Sequence, residues 1–313
     1  MRISVVIPCF NAEPWIEIAL RSVATQTVAA HEIIVVDDGS SDASLTKIKE
    51  SGVPLRLIQT NRANGAGARN AGIAVATGDW IALLDADDVW YPRHLERAAG
   101  LLRGSTDVAY MASHDWVDLE GAVIPIPDCF VAQIEEPLTG ASAARFLQLM
   151  NEPFHFGHST VLYRADRLRA VGAFDTEQRR RHDLDLWLRM IHGHTWTYDP
   201  ERTVGYREAT PGSISKAIVN AEYFHLRSLL KNSARFAGEP HFERQITGSA
   251  RRLMGLAFVD GEGSEFASAS QLAWPYLSKR MQAWYRWAPR VAPLARRAMQ
   301  WRRRIVMRGV GAS

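Results

Sequence analysis

The sequence predicts an α/β fold: a doubly wound, mainly parallel sheet with a helical extension at its C-terminal end. Two observations carry this. Through roughly the first hundred residues, short β-branched runs alternate with segments of helical periodicity, joined by short connections. Beyond about residue 216 the strand-like runs stop and helical periodicity takes over. The expected organisation is an α/β domain over 1–215 and a basic helical region over 216–313.

Ile3 to Ile7 is a β-branched apolar run that stops at Pro8 and reads as a first buried strand. Glu13 to Gln26 carries Trp15, Ile16, Ala19, Leu20 and Val23 at helical spacing, with Pro14 suited to the first turn. Glu32 to Val36 is a second buried strand. It ends in Asp37-Asp38-Gly39-Ser40-Ser41-Asp42, where Ser41 or Asp42 can cap a helix over Ala43 to Glu50. Val53 to Gln59 reads as a third strand, followed by a turn rich in glycine and asparagine and a helix from Gly67 to Ala76. Trp80 to Leu84 is the fourth strand, and Pro92 to Leu102 a further helix.

The fourth strand ends in Asp85-Ala86-Asp87-Asp88. Three clustered carboxylates repel one another and lose hydration unless a cation compensates them. Oxygen-only ligands suit Mg²⁺ or Mn²⁺, which take one or two carboxylates and fill the remaining positions with phosphate and water. The bland alternative is a solvated acidic turn. In doubly wound sheets ligands lie outside the carboxyl ends of the strands. Asn11, Asp38 and Asp85 to Asp88 each follow a strand, so they are expected to line one crevice. Asp37, Asp38 and Ser40 also suit a plain turn and cap. Asn61 to Asn70 places glycines before a helix and can offer N–H groups to an anion, with Arg69 available to a phosphate or to a neighbouring carboxylate. The segment is neither a Walker loop nor a dinucleotide fingerprint.

With 47% hydrophobic and 23% charged residues in 313, the chain has the composition of an ordinary globular protein with a substantial core. The net charge of +3 hides an asymmetry, because no acidic residue follows Glu265 while Lys279, Arg280, Arg286, Arg290 and six further arginines do. Cys9 and Cys129 give neither a disulfide framework nor metal-ligand spacing, which suits a reducing cytosol. The chain starts directly as a strand with no visible signal peptide, and no apolar run is long enough to span a bilayer. A cytoplasmic protein is expected, on the cytoplasmic face of the membrane if the basic end binds lipid.

Four stretches then carry a resemblance: Val5-Val6-Ile7-Pro8-Cys9-Phe10-Asn11, Val35-Val36-Asp37-Asp38-Gly39-Ser40, Asn64-Gly65 with Ala68-Arg69-Asn70, and Leu84-Asp85-Ala86-Asp87-Asp88. In this order and spacing the chain resembles family 2 glycosyltransferases, which are inverting, nucleotide-sugar-dependent enzymes with a Rossmann-like GT-A fold. The resemblance implies that Asp38 contacts the base in a pocket shaped by Pro8, Phe10 and Asn11. It implies that Asp85 approaches the ribose, that Asp87 of the Asp85-Ala86-Asp87 DXD motif holds the metal bridging the diphosphate, and that Asn64 and Arg69 belong to the same donor site. Asp85 or Asp88 is the candidate second metal ligand.

Thr106 to Val123 is strand-like, with a hairpin turn at Asp118-Leu119-Glu120-Gly121. Pro125 to Pro137 has no periodicity and reads as a loop or lid around the acceptor, and Thr139 to Met150 as a helix. Phe156 to Arg164 and Val171 to Asp175 continue the resemblance, as a strand on the acceptor side and a turn that orders the next helix. In Arg181-His182-Asp183-Leu184-Asp185-Leu186-Trp187-Leu188, Leu184, Trp187, Leu188 and Ile191 share one helical face. Asp183 then stands near the helix start, where a capping carboxylate is the simple reading. The family commonly has Glu-Asp-x-Asp-Leu-Trp here, with its second residue as catalytic base, which carries over to Asp183. His182 departs from that pattern, and Asp185 is the weaker candidate. Val204-Gly205-Tyr206-Arg207 and Gly212-Ser213-Ile214-Ser215 resemble the family's closing strand and loop, although Glu208 and Ala209 stand where a histidine often follows.

In the basic region Arg251 to Phe258 would be one buried helix. Val291, Leu294, Ala298, Trp301 and Ile305 repeat at helical spacing, with Arg296, Arg297, Arg303 and Arg304 mostly off the stripe and Arg302 intruding. With Trp284, Tyr285 and Trp287 upstream, the stripe suits an in-plane membrane helix, or equally a face packed on protein. No nucleic-acid-binding motif accompanies the charge, so no nucleic-acid partner is expected. The combined expectation is metal-dependent inverting transfer from a nucleoside-diphosphate sugar, a UDP-sugar first, to a glycan or lipid-linked hydroxyl. An inactive nucleotide-sugar-binding module or a membrane-associated scaffold are the alternatives. Donor sugar, acceptor and oligomeric state are not encoded in these motifs.

Overall fold

The computed structural model describes residues 1–61, 64–124, 134–150, 156–207, 218–260 and 263–286. They fall into two compact units, Met1–Ser213 and Ile214–Ser313. The first opens with β1 (Ile3–Cys9), α1 (Ile16–Ala24), β2 (Glu32–Asp37), α2 (Ser44–Glu50), β3 (Arg56–Gln59), α3 (Asn64–Val75) and β4 (Trp80–Leu83). It continues with β5 (Val89–Trp90), α4 (His94–Leu101), β6 (Ala109–Val117), β7 (Val123–Ile124), β8 (Leu138–Ala141), α5 (Ala143–Leu149), β9 (Val161–Arg164), α6 (Ala165–Ala170), α7 (His182–Ile191) and β10 (Trp196–Arg207).

The sheet order is β3-β2-β1-β4-β9-β6-β10-β5, with β7 on β6 and β8 on β10. β1, β2, β3 and β4 pair in parallel, as do β6 and β10. β9 lies antiparallel between β4 and β6, so all six of the others named here run in one direction. Their C-terminal ends therefore open on one side. The β-branched residues of β1 and β2 explain its centre: Val5, Val6, Ile7, Ile34, Val35 and Val36 are fully buried, as strands covered on both faces require.

Several boundaries differ from the sequence reading for identifiable reasons. β1 continues through Pro8, which pairs with Val36. Its pairing with β4 stops at Val6 and Leu83, so the missing Pro8 N–H interrupts no ladder bond there. α3 begins at Asn64 instead of Gly67, because the Asn64 side chain accepts from the Ala66 and Gly67 amides at 3.0 and 3.1 Å. The expected helix from Thr139 is split. Its first residues form β8 against β10, Gly140 takes φ 63°, and Ser142 caps α5 by accepting from the Arg145 amide. Phe156 to Arg164 is only half strand, since His158–Thr160 form a 3₁₀ turn held by the Thr160 hydroxyl on the Gly157 carbonyl. β5 is too short for any periodicity to mark it.

The second unit is helical, with α8 (Ile218–Lys231), α9 (Pro240–Asp260), α10 (Gly263–Ala273), a 3₁₀ turn at Trp274–Tyr276 and α11 over 279–286. α9 contains the expected buried stretch: Leu253, Met254, Ala257 and Phe258 are inside. Among the described residues no helix is long and apolar enough to cross a membrane. Most of the loop from Pro125, the segment Glu208 to Ser215, Cys129 and the basic stripe from Val291 lie outside the described residues.

Candidate active site

The ends of β1, β2 and β3 are stitched into one rim. Asn11 sits in the left-handed region (φ 50°), which asparagine tolerates, and its Oδ1 accepts from the Ser41 amide at 2.8 Å. Its own amide donates to Ser40 Oγ at 3.0 Å. The buried Asp38 donates its amide to the Cys9 carbonyl and accepts from Thr60 Oγ1 at 2.7 Å. Phe10 beside them is 52% exposed. Asp42, not Ser41, satisfies the start of α2, accepting from the Ser44 amide and, across the rim, from that of Glu13.

Arg69 is the hub of the next layer. Its buried guanidinium donates to Asp85 Oδ1, to the Gly65 carbonyl at 3.0 Å, and to His182 Nε2 at 3.3 Å. A Cβ on Gly65 would stand 3.0 Å from that guanidinium, so glycine makes the close approach easy. At the next residue, the Asn70 side chain exchanges two hydrogen bonds with the Phe174 backbone, at 2.8 and 2.9 Å, tying the Val171–Asp175 turn to α3.

The three carboxylates of the acidic turn have different fates. Asp88 is buried, and burial first, then Asp87 and Asp85, push its pKa well above the carboxylate range. It accepts from Ser159 Oγ at 2.5 Å and from the Arg207 amide at 2.8 Å, which makes it an internal anchor. Asp85 is paired with Arg69, and its amide donates to Ser159 Oγ. Asp87 is half-buried, and its carbonyl accepts from Arg207 Nε at 2.8 Å. Ala86 between them is buried. Among the described residues no three His, Cys, Asp or Glu side chains converge as a self-sufficient metal cage. One or two hard carboxylates completed by phosphate and water is the alternative arrangement, and Asp87 with Asp85 fits that donor set.

α7 brings the other carboxylate. Arg181 takes φ 52° and turns the chain into the helix, leaving Asp183 in the first turn. Burial opposes its ionisation, but His158, Arg181, His182 and the Leu184 amide outweigh it and hold its pKa below the usual range. Asp183 Oδ1 accepts from the Leu184 amide at 2.8 Å, within the first turn. Asp185, fully buried, is committed to Arg189 at 2.9 Å, and Arg189 in turn donates to the Val171 carbonyl at 2.6 Å. Asp185 is thus bound in a structural ion pair, and Asp183 is the candidate of the two left outside it.

The acidic turn and Asp183 both act electrostatically on Tyr206. Its phenol pKa is raised by burial first, then by Asp88, Asp85, Asp87 and Asp183. A Cβ on Gly157 would lie 2.8 Å from the Tyr206 ring, so that glycine makes room for it. Ser159, His158 and the anchoring role of Arg207 escaped the sequence reading as site residues. A lone serine or histidine in a strand-like run carries no signal of its own, whereas Arg207 stood in a quoted motif.

The buried histidines make stability acid-sensitive. His94 is fully buried with Nδ1 2.8 Å from Thr203 Oγ1, and burial lowers its pKa to about 3. Between that value and about 6.5 the unfolded chain binds the extra proton, so stability falls as pH falls. His94 alone should cost about 1.4 kcal/mol at pH 5.5. Urea unfolding at pH 7.5 and 5.5 checks this. His94→Phe, which keeps a ring against Trp90 and cannot titrate, should shrink the difference.

The acidic turn stands at the C-terminal end of a strand in a doubly wound sheet, the edge where such folds hold their ligands. The family model described as Glycosyl transferase family 2 matches residues 4–170, more than half of the chain, and the chain belongs to that family. Among relatives, it is 39% identical over 102 residues to an Escherichia coli protein named UDP-Glc:alpha-D-GlcNAc-diphosphoundecaprenol beta-1,3-glucosyltransferase WfgD, covering 32% of this chain and 40% of that one. Among solved structures, S. aureus TarS 1-349 in complex with UDP-GlcNAc superposes with a TM-score of 0.71 at 18% identity, covering 90% of this chain and 83% of that one. A mannosyltransferase from Pyrobaculum calidifontis in complex with GDP-Man and Mn²⁺ gives 0.56 at 18% identity, covering 90% and 82%. At such identities the likeness shows the GT-A fold alone. The chain spans between 34% and 66% of the length of three curated relatives it matches.

Proposed function

We propose that the protein is a metal-dependent inverting glycosyltransferase. It moves a hexose from a nucleoside-diphosphate sugar, a UDP-sugar first, to a hydroxyl of a glycan or lipid-linked acceptor in cell-surface polysaccharide or glycolipid synthesis. The observation that carries this is that Arg69 ties Asp85 of the acidic turn to His182, the residue beside Asp183. On this reading residues 1–215 are the catalytic domain. Asp38, with Pro8, Phe10 and Asn11, holds the base, while Asn64, Arg69, Asp85 and Ala86 line the sugar-phosphate path. A Mg²⁺ or Mn²⁺ held by Asp87 and Asp85 supplies charge neutralisation of the leaving diphosphate. Asp183 accepts the proton of the acceptor hydroxyl as its oxygen bonds to the anomeric carbon from the face opposite the leaving group. One displacement inverts the configuration, so an α-linked donor yields a β-linkage.

The relatives support the substrate classes. The E. coli protein is named for a UDP-sugar and a diphosphoundecaprenol acceptor, TarS was solved with UDP-GlcNAc, and the Pyrobaculum protein with GDP-Man and Mn²⁺. A lipid-linked acceptor agrees with peripheral contact of the basic C-terminal segment at the cytoplasmic face of a membrane. The direct test is thermal unfolding with UDP, GDP or dTDP, each with and without Mn²⁺. A ligand at a hundredfold excess over its Kd adds about 2.7 kcal/mol. A metal-dependent shift with one nucleotide is expected. No shift with any of the three removes the donor site, and turnover distinguishes the transferase from an inactive binding module.

A further inference from the structure

The first unit carries a cavity at the edge of the sheet away from the acidic turn. Arg2 and Asp79 stand just before β1 and β4, and Arg164 ends β9 as the partner of Trp80. Asp79 and Asp85 bracket β4, so the acidic turn lies roughly 20 Å off, at the other end of the strand. The cavity measures about 380 Å³, within the range of small-molecule sites, and Arg2, Asp79, Trp80, Arg164, Asp166 and Arg169 line it.

Two of its guanidiniums are fixed in place without being neutralised. Arg164 donates from Nε to the Asp107 carbonyl at 3.3 Å and from Nη2 to that of Ser105 at 3.0 Å. Its Cζ lies 5.5 Å from the centre of the Trp80 ring. Arg169 donates from Nη2 to the Ile73 and Ala76 carbonyls at 3.4 and 2.6 Å. A carbonyl orients a guanidinium but leaves its charge, and in both arginines Nη1 has no hydrogen bond to a described residue. Arg164 is half-buried and Arg169 exposed, so a solute can reach both. Of the two carboxylates, Asp79 is paired with Arg2 at 2.7 Å, and Asp166 accepts from the Arg167 amide. Three guanidiniums thus face two carboxylates, and the balance favours an anion. One arginine on the last carbonyls of α3 is an ordinary helix cap. Two pre-oriented guanidiniums in one cavity form a fork for an oxyanion, with little side-chain freedom left to lose on binding. A phosphoryl group offers three strong acceptor oxygens, enough to reach both.

We propose that this cavity is an anion site, separate from the donor site, that takes a phosphate-type oxyanion between Arg164 and Arg169. The phosphoryl group is the shared chemistry of a soluble phosphate and a lipid headgroup. The inference stands apart from the functional reading, since no residue assigned to donor, metal or base enters it.

Calorimetric titration of the full chain with inorganic pyrophosphate, without metal and at about 0.15 M salt, tests it. The wild type should bind, and Arg164→Gln and Arg169→Gln should each weaken the Kd about 10-fold or more. Asp87→Ala should bind pyrophosphate as the wild type does, and both arginine variants should keep the Mn²⁺-dependent Kd for UDP. Asp166→Asn can still accept from the Arg167 amide while removing a repelling charge, and should tighten the Kd about threefold. That variant leaves both arginines in place, so it decides the matter even where an arginine variant fails to fold. Displacement of pyrophosphate by vesicles of phosphatidylglycerol, and not of phosphatidylcholine, identifies a lipid headgroup as the source. No displacement by either identifies a soluble phosphate. The site is overturned by a wild type that does not bind pyrophosphate, by undiminished binding in both arginine variants, or by an unchanged Kd in Asp166→Asn.

Discussion

Asp183→Asn is expected to lower kcat for transfer by on the order of 10² to 10⁴ while leaving the donor Kd within about twofold. The amide is isosteric and can still accept from the Leu184 amide, which donates to Asp183 Oδ1 at 2.8 Å, so the start of α7 should survive. What it loses is basicity. His158, Arg181 and His182 lower the Asp183 pKa, which keeps the carboxylate ionised below the ordinary aspartate value of about 3.9. The acid limb of kcat/KM from this group should therefore lie below that value, at pH where the histidines already erode stability. Rates from pH 5 upward should show no titration of Asp183. Asp185→Asn is the contrasting case. It breaks a buried ion pair to Arg189 and should show first as lower stability. Full transfer activity in Asp183→Asn would remove the proposed base.

The legible parts of the fold were those where local pattern and tertiary environment agree. β1, β2 and β4 are β-branched or apolar throughout because both faces are covered, so composition alone located them. The clustering of Asn11, Asp38 and the acidic turn followed from strand direction, since parallel strands put their C-terminal ends together. Pairings that depend on distant partners were not legible. β5 exists because Val89 and Trp90 meet Gly205 and Val204 of β10, more than a hundred residues away. β8 was read as helix because Leu138–Ala141 has no strand signature until β10 pairs with it. The site divides the same way. The carboxylates announced themselves, whereas Ser159, whose single hydroxyl joins the Asp85 amide to the Asp88 carboxylate, is indistinguishable in sequence from any serine.

The acidic turn is where sequence shows three equivalent groups and structure makes them unequal, and that yields the second large effect. Asp87→Ala is expected to weaken Mn²⁺-dependent nucleotide binding on the order of 10²-fold, with little change in melting temperature. Its backbone carbonyl, which receives Arg207 Nε, is retained in the variant, so the turn keeps its tie to β10. Asp88→Ala should do the reverse. It leaves the Ser159 O–H donor and the Arg207 amide unpaired in the interior and should destabilise the first unit by about 2 to 4 kcal/mol. Asp85→Ala falls between, since it strips the buried Arg69 of its carboxylate and alters the hub that also contacts His182. Denaturation curves measured beside nucleotide titrations, each with and without Mn²⁺, separate the three. An Asp87→Ala protein with undiminished Mn²⁺-dependent binding would transfer the metal assignment to Asp85. A fully stable Asp88→Ala protein would show that Arg207, through its bonds to the Asp87, Asp118 and Leu119 carbonyls, holds the turn without it.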